Sequence, residues 1–201
     1  EIEKFGLNRL SEPIIAIGGG VMLDVVGLAA TLYRRGVPYI RIPTTLLSIV
    51  DVSVAIKTGI NFRDRRNRLG SYFPPLATLL DKTFIKTTAN LDISSGFGEI
   101  IKMAVSKDSK LFNILEKNGE SLFDSKFDAL FADEVISMSI EGMKVELENN
   151  LWEKNLKRVV DFGHSFSPII EMRSLHDDRV KTLEHGQAVM LDVIFSSCIS
   201  N

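Results

Sequence analysis

The run Pro13-Ile14-Ile15-Ala16-Ile17 is apolar without alternation and stops at three consecutive glycines, Gly18, Gly19 and Gly20. A short unbroken apolar run bounded by a turn signal predicts a strand of the buried parallel type. Residues 21–36 then carry apolar side chains at helical spacing and end on Gly36, a residue suited to the end of a helix. The pattern next predicts a strand over 38–43 and a short helix over 44–54, with Thr44 or Thr45 available as a cap. A hairpin with its turn near Gly59, a charged loop over 63–70 and a third strand over 76–81 follow. Strand and helix thus alternate to about residue 85, the mark of an α/β unit.

From about residue 88 the pattern changes. Segments 92–108, 109–118, 127–150, 163–173 and 184–200 all read as helices, and no strand-like run separates them for long. The expectation is an α/β part over 1–86 followed by an all-α domain over 87–201.

Composition narrows the class. Of the 201 residues, 45% are hydrophobic and 25% charged, which supports a sizeable core and excludes a disordered chain. A net charge of −2 argues against a nucleic-acid partner but leaves room for a local anion pocket. One cysteine, Cys198, allows no internal disulfide and no CxxC metal knuckle, which fits a reducing cytoplasm. The apolar run at the first strand is too short and too rich in glycine to span a membrane, so no membrane partner is expected. The chain starts without Met and stops inside a helical apolar pattern, which leads to the expectation of a fragment.

Three features could carry chemistry. Glycines between a strand and a helix let backbone N–H groups approach a phosphate at the helix N-terminus. The G-x-G-x-x-G spacing fails here, because Leu23 stands where the last glycine belongs, and a plain tight turn explains the glycines equally well. Asp24, read in the first turn of that helix, suits the helix dipole. The second feature is Glu99, with Lys102 one turn further along its helix, together with His164 and His185 at two predicted helix starts. One Glu and two His would make a three-ligand zinc site with an open position, whereas capping or buried histidines are the ordinary alternative. The position one turn beyond His164 is Pro168, so no H-x-x-x-H pair exists there, and His176 reads as exposed. The third feature is the group Arg35, Asp51, Lys57, Arg66, Asn67, Lys102 and Lys144. Singly these are surface residues, but "KTG" and "RRNR" together suggest a pocket for a phosphorylated small molecule.

Taken together, "AIGGGVMLDVVGLAA", "YRRGVPYIRIPTTLLSIVDVSVAIKTGIN", "GFGEIIK", "DFGHSFSP" and "EHGQAV" resemble the sugar phosphate cyclases, the superfamily of 3-dehydroquinate synthase. The resemblance runs from about residue 13 to the end, and family members are nearly twice this length. It implies a dehydroquinate synthase-like fold, with a partial Rossmann-like α/β part ahead of the helical domain. It implies that Glu99, His164 and His185 hold zinc, with cobalt a possible substitute, and that Gly18, Gly19, Gly20, Asp24, Thr44, Thr45, Arg66 and Thr87 contact NAD. Asp51, Lys57, Lys102 and Lys144 would carry catalysis, and Asn67 would contact phosphate. Arg35 would be offered across a homodimer interface to the neighbouring subunit's phosphate. The implied reaction is a one-site cascade of transient oxidation, phosphate elimination, reduction, ring opening and aldol closure, with no net redox change.

The departures from dehydroquinate synthase bear on substrate. That enzyme has a second His where Pro168 stands, Asn where Asp161 stands and Arg where Lys157 stands. Asp161 would repel a sugar acid and accept hydrogen bonds from a neutral polyol, which is similar to cyclases of sedoheptulose 7-phosphate. Two such products, 2-epi-5-epi-valiolone and desmethyl-4-deoxygadusol, are not separated by the sequence. A divergent dehydroquinate synthase, an iron-type alcohol dehydrogenase of similar architecture and an inactive remnant are the alternatives.

Overall fold

The computed structural model describes residues 2–63 and 65–200. Strands β1 (Ile14–Gly18), β2 (Tyr39–Pro43) and β5 (Ala77–Thr78) form one parallel sheet in the order β1-β2-β5. Strands β3 (Lys57–Phe62) and β4 (Arg65–Tyr72) form a separate antiparallel pair. Helix α1 (Gly20–Leu32) connects β1 to β2 and lies against β1 and β3. Helices α2 (Asn90–Lys107), α3 (Ser109–Asp124), α4 (Ala132–Leu147), α5 (Ser167–His176) and α6 (His185–Ile199) complete the chain. The α/β part followed by helices is therefore the observed architecture. Among the described residues, no helix is long and apolar enough to cross a membrane.

Two strand expectations change. The segment expected as a charged loop over 63–70 is mostly strand β4, paired from Lys57↔Tyr72 to Phe62↔Arg65, so the hairpin turns after Phe62 and not at Gly59 (Asp64 lies outside the described residues). Most of β4 is exposed, and such a pair needs no apolar alternation to form. Gly59 instead faces Gly70, where a Cβ would run into the carbonyl oxygen of Thr58. The third parallel strand shrinks from 76–81 to Ala77–Thr78. Pro74 and Pro75 cannot donate to a ladder before it, and Asp81 caps a 3-10 turn at Lys82–Thr87 after it.

The short helix after β2 contains a π-helical turn at Ser48–Val52. It is fastened by Arg41 of β2, a fully buried side chain. Arg41 Nη1 donates to the carbonyls of Val52 (2.8 Å) and Ala55 (2.6 Å), and Nη2 donates to the Tyr39 hydroxyl (2.6 Å). Carbonyls freed at a π turn need such a partner when buried.

The main core joins Leu46, Ile49 and Val50 to Ile93, Ile100, Met103, Leu111, Val135 and Met143. It therefore draws on both sides of the boundary expected at residue 86. A smaller core of Ala30, Val37 and Tyr39 sits under the sheet, with Tyr39 stacked on Phe73 at 5.7 Å.

Candidate active site

A cleft of about 1180 Å³ opens between the α/β part and the helices. At its floor, α2 and α6 touch backbone to backbone. A Cβ on Gly186 would collide with the carbonyl of Ser95, and one on Gly98 with the carbonyl of Gly186. Each glycine is the chain neighbour of an expected ligand, Glu99 or His185. Ser95 Oγ accepts from the Gly186 N–H (3.1 Å), and a capping box between Glu184 and Gln187 fixes the first turn of α6.

His164 is placed differently from expectation. It does not open a helix but lies three residues before α5, in a turn closed by its N–H donating to the Asp161 carbonyl (3.0 Å). Pro168 is the second residue of α5, where no intrahelical N–H is lost. The start of α5 is held by Asp192 of α6, which is buried and accepts from the N–H groups of Phe166 (2.5 Å) and Ser167 (2.8 Å). Burial would raise the Asp192 pKa, but these donors and Ser196 hold it below the usual carboxylate range.

These supports bring one ligand atom from each of Glu99, His164 and His185 within 4.8 Å of the others. Tetrahedral ligands around zinc stand ~3.4 Å apart, a spacing that His185 Nε2 and Glu99 Oε1 already have at 3.3 Å. Glu99 is 3% exposed, and its Oε1 has no hydrogen-bond partner. His185 Nε2 lies 3.3 Å from that oxygen, near but not aligned as a hydrogen bond. A buried carboxylate oxygen left open between two imidazoles suits a divalent cation. Glu99 Oε2 pairs with Lys102 Nζ at 2.5 Å. Burial opposes the charge of Glu99, but Lys102, His185 and His164 outweigh it and hold the carboxyl well below its usual range. Burial likewise pulls Lys102 down, but Glu99 and Asp51 more than offset it and keep it protonated. His164 is lowered by burial, with Lys102 and His185 adding to the effect, and so favours the neutral form a metal requires.

Sequence reasoning missed Glu171. Its Oε2 lies 3.0 Å from His185 Nδ1 and 2.7 Å from Arg66 Nη1. Glu171 thus stands where an outer carboxylate would orient the imidazole of a candidate ligand, and it ties that imidazole to the β3–β4 hairpin. Its only sequence signal is its position one turn into the helix that follows His164. Burial works against the His185 charge, but Glu171 and Glu99 raise its pKa overall.

The other expected residues divide. Gly19, Gly20, Asp24, Thr45, Asp51, Lys57, Arg66, Asn67, Lys102 and Asp161 all line the cleft with His164 and His185. The turn at Gly19 leaves α1 without a side-chain cap, so its first N–H groups are open to an anion. A Cβ on Gly19 would crowd Thr45 at 3.1 Å. Asp24 is the fifth residue of α1, one turn later than expected, and burial raises its pKa to about 6. Arg66 and Asn67 sit in a bulge of β4 whose three residues 66–68 oppose the single Asn61, and Asn67 has φ 48°. A bulge turns side chains off the strand's alternation, here into the cleft.

Besides the buried Glu99, five expected residues do not line the cleft. Lys144 is 60% exposed and pairs with Glu141 one turn back on α4, so its direction is set by solvent. Thr87 is exposed and its hydroxyl is used on the Phe84 carbonyl. Thr44, just past β2, donates its N–H to the carbonyl of Gly18, the last residue of β1 (3.0 Å), and neither residue reaches the cleft lining. Arg35 is exposed at the far end of α1, in a 3-10 turn at Tyr33–Arg35. Finally, Asp161 is in the cleft, but both its oxygens are taken by Arg158 at 2.9 and 2.6 Å, a residue the sequence did not single out.

Comparison with known proteins gives the family. Residues 2–95 match the 3-dehydroquinate synthase N-terminal family, and residues 96–201 match the 3-dehydroquinate synthase C-terminal family. A 2-epi-5-epi-valiolone synthase from Actinomyces sp. is 47% identical over 99% of this chain and 52% of its own length. A demethyl-4-deoxygadusol synthase from Trichormus variabilis is 38% identical over 94% of this chain and 47% of its own. The solved structure of 2-epi-5-epi-valiolone synthase from Streptomyces hygroscopicus subsp. jinggangensis, with NAD+ and Zn2+ bound, superposes with a TM-score of 0.92 at 46% identity, covering 97% of this chain and 53% of that one. The chain spans about half the length of the relatives it matches. With both halves matched in order and the fold superposing throughout, the chain belongs to the 3-dehydroquinate synthase family.

Proposed function

We propose that this chain is part of a sugar phosphate cyclase that converts sedoheptulose 7-phosphate to a 2-epi-5-epi-valiolone-type carbocycle, a carbon–oxygen lyase acting on a phosphate ester. The observation that carries the reading is the convergence of Glu99, His164 and His185, with the two histidines lining the same cleft as Gly19, Gly20 and Lys57. Glu99, His164 and His185 would hold zinc, which as a Lewis acid polarises a substrate oxygen. The uncapped start of α1 and Thr45 would hold the pyrophosphate of NAD, which supplies reversible hydride transfer. Lys102, buried and charged beside the ligands, is placed to stabilise an oxyanion that develops on the substrate. Lys57 and Asn67 border the cleft from the hairpin and suit the leaving phosphate. Arg35, exposed and off this cleft, is free to serve a neighbouring subunit's phosphate, which would make a homodimer part of the site.

The test is phosphate release by the full-length enzyme with NAD+ and Zn2+, from sedoheptulose 7-phosphate and from the seven-carbon keto acid phosphate of dehydroquinate formation. Release from the neutral sugar, with a carbocyclic product by mass spectrometry, is expected. Release from the acid alone would refute the reading.

A further inference from the structure

A row of alternating charges crosses the cleft from the hairpin to the turn that carries His164. Lys57 Nζ lies 3.2 Å from Glu153 Oε1, and Arg158 Nη1 lies 2.5 Å from Glu153 Oε2. Arg158 then closes a fork on Asp161, with Nε donating to Oδ2 at 2.9 Å and Nη2 donating to Oδ1 at 2.6 Å. Two cations and two anions leave the row neutral. Its inner members are the sheltered ones. The side chains of Glu153 and Arg158 are 8% and 10% exposed, against 53% for Lys57 and 40% for Asp161. Glu153 sits at φ 48°, a left-handed conformation that costs a non-glycine residue energy, so the row is held against backbone strain. Lys157, the residue aligned by resemblance with a carboxylate-binding arginine, is exposed and outside the cleft lining.

We propose that Arg158 is a specificity-determining residue whose guanidinium is withheld from ligands by Asp161 and Glu153, so that this end of the cleft takes neutral hydroxyls and refuses a carboxylate. The inference rests on the cyclase reading above. A guanidinium has five N–H donors in one plane; here the Nε/Nη2 edge is hydrogen-bonded to Asp161, while Nη1 is ion-paired with Glu153 Oε2 at 2.5 Å without an aligned hydrogen bond. An incoming carboxylate gains no free cation. It must displace Asp161 from the fork, which exchanges one charged pair for another and leaves a partly buried carboxylate without its partner. A hydroxyl needs no exchange, because it donates to the remaining lone pairs of Asp161 while the fork stays closed. Exclusion of an acid is then the consequence of an occupied arginine and not of a bare negative charge at Asp161.

The two accounts part in a double variant. In the full-length enzyme with NAD+ and Zn2+ present, the dissociation constants of sedoheptulose 7-phosphate and of the keto acid phosphate are measured by calorimetry. Asp161→Asn opens the fork, and affinity for the acid is expected to rise about 10–100-fold, the gain from one charge-assisted pair. Adding Arg158→Gln should return acid affinity to the parent level. If the double variant keeps the whole gain, Asp161 acts by charge alone and the proposal fails. It fails equally if Asp161→Asn gives no gain. Glu153→Gln supplies a second route should Asp161→Asn not fold. It frees Nη1, and a smaller gain is expected that Arg158→Gln again removes; a gain that survives Arg158→Gln overturns the role. A parent that turns over only the acid would refute the cyclase reading instead, and the single-against-double comparison would still decide Arg158.

Discussion

Asp24 shows how far one residue's surroundings change its meaning. As a residue in a first helical turn it is an ordinary dipole partner. In the fold it lies in the second turn of α1, facing a cleft, with burial as the largest influence on its pKa. Arg41 and Lys57 pull against that influence, Asp51 adds to it, and the result is about 6. The sign for stability follows from linkage. The folded state binds the proton more tightly than the unfolded state, so between about pH 4 and pH 6 stability falls as pH rises. Some two pKa units correspond to roughly 2–3 kcal/mol. In the cofactor-free protein, Asp24→Asn should therefore melt higher than the parent above pH 6, by ~5–10 °C, with the difference vanishing toward pH 4. Other titrating groups tilt both curves alike, so the difference isolates this one. A difference that stays constant with pH would show that Asp24 ionises normally in the fold. Residues such as Glu171 and Arg158 were not legible in the sequence for a related reason. Glu171 takes its role from Arg66, 105 residues away in the chain, and Arg158 takes its role from a fork on Asp161 and an ion pair with Glu153 that only the folded turn brings together.

Among the elements, β1, α1, β2 and the helices after residue 88 were legible because each has a buried side, and burial imposes a period on the sequence. Strand β4 was not, since most of its residues are exposed and its three arginines mask the pairing. Its bulge was equally hidden, yet the bulge is what turns Arg66 and Asn67 inward. The candidate metal ligands were named by resemblance, and the backbone contact of α2 with α6 is what brings Glu99 and His185 together. Gly98 and Gly186 therefore predict opposite outcomes from the same substitution made elsewhere. Gly186→Ala should destabilise by at least ~1–3 kcal/mol, because backbone must move, and should lower the zinc bound per chain. Gly119→Ala in the interior of α3, where a Cβ would meet only Phe97 at 3.4 Å, should be neutral or stabilise by about 0.5–1 kcal/mol. Urea midpoints and metal analysis on both variants check this. If Gly186→Ala kept its midpoint and its zinc, the helix contact would not be what sets the ligands.

For the molecule as a whole, the three candidate ligands come from α2, from the turn before α5 and from the first residue of α6. Glu171 extends the network to Arg66 on the hairpin, in the α/β part. A metal ion at this point would therefore fasten four separate segments, and its binding energy would count as folding energy. At zinc a hundredfold above its dissociation constant the stabilisation is about 2.7 kcal/mol, or ~5–10 °C for a domain of this size. The full-length protein should show that rise when zinc is added to the chelator-treated form, and Glu99→Gln should abolish it. Glu171→Gln keeps all three ligands but loses the carboxylate that orients His185. Outer carboxylates of this kind are worth about 10–100-fold in metal affinity, so at the same zinc concentration the rise should be halved or more. Melting is the chosen readout because it reports the metal without depending on substrate. A Glu171→Gln protein with the parent's full rise would mean that His185 is oriented by its helix alone, and that the link between hairpin and metal ligands carries no energy.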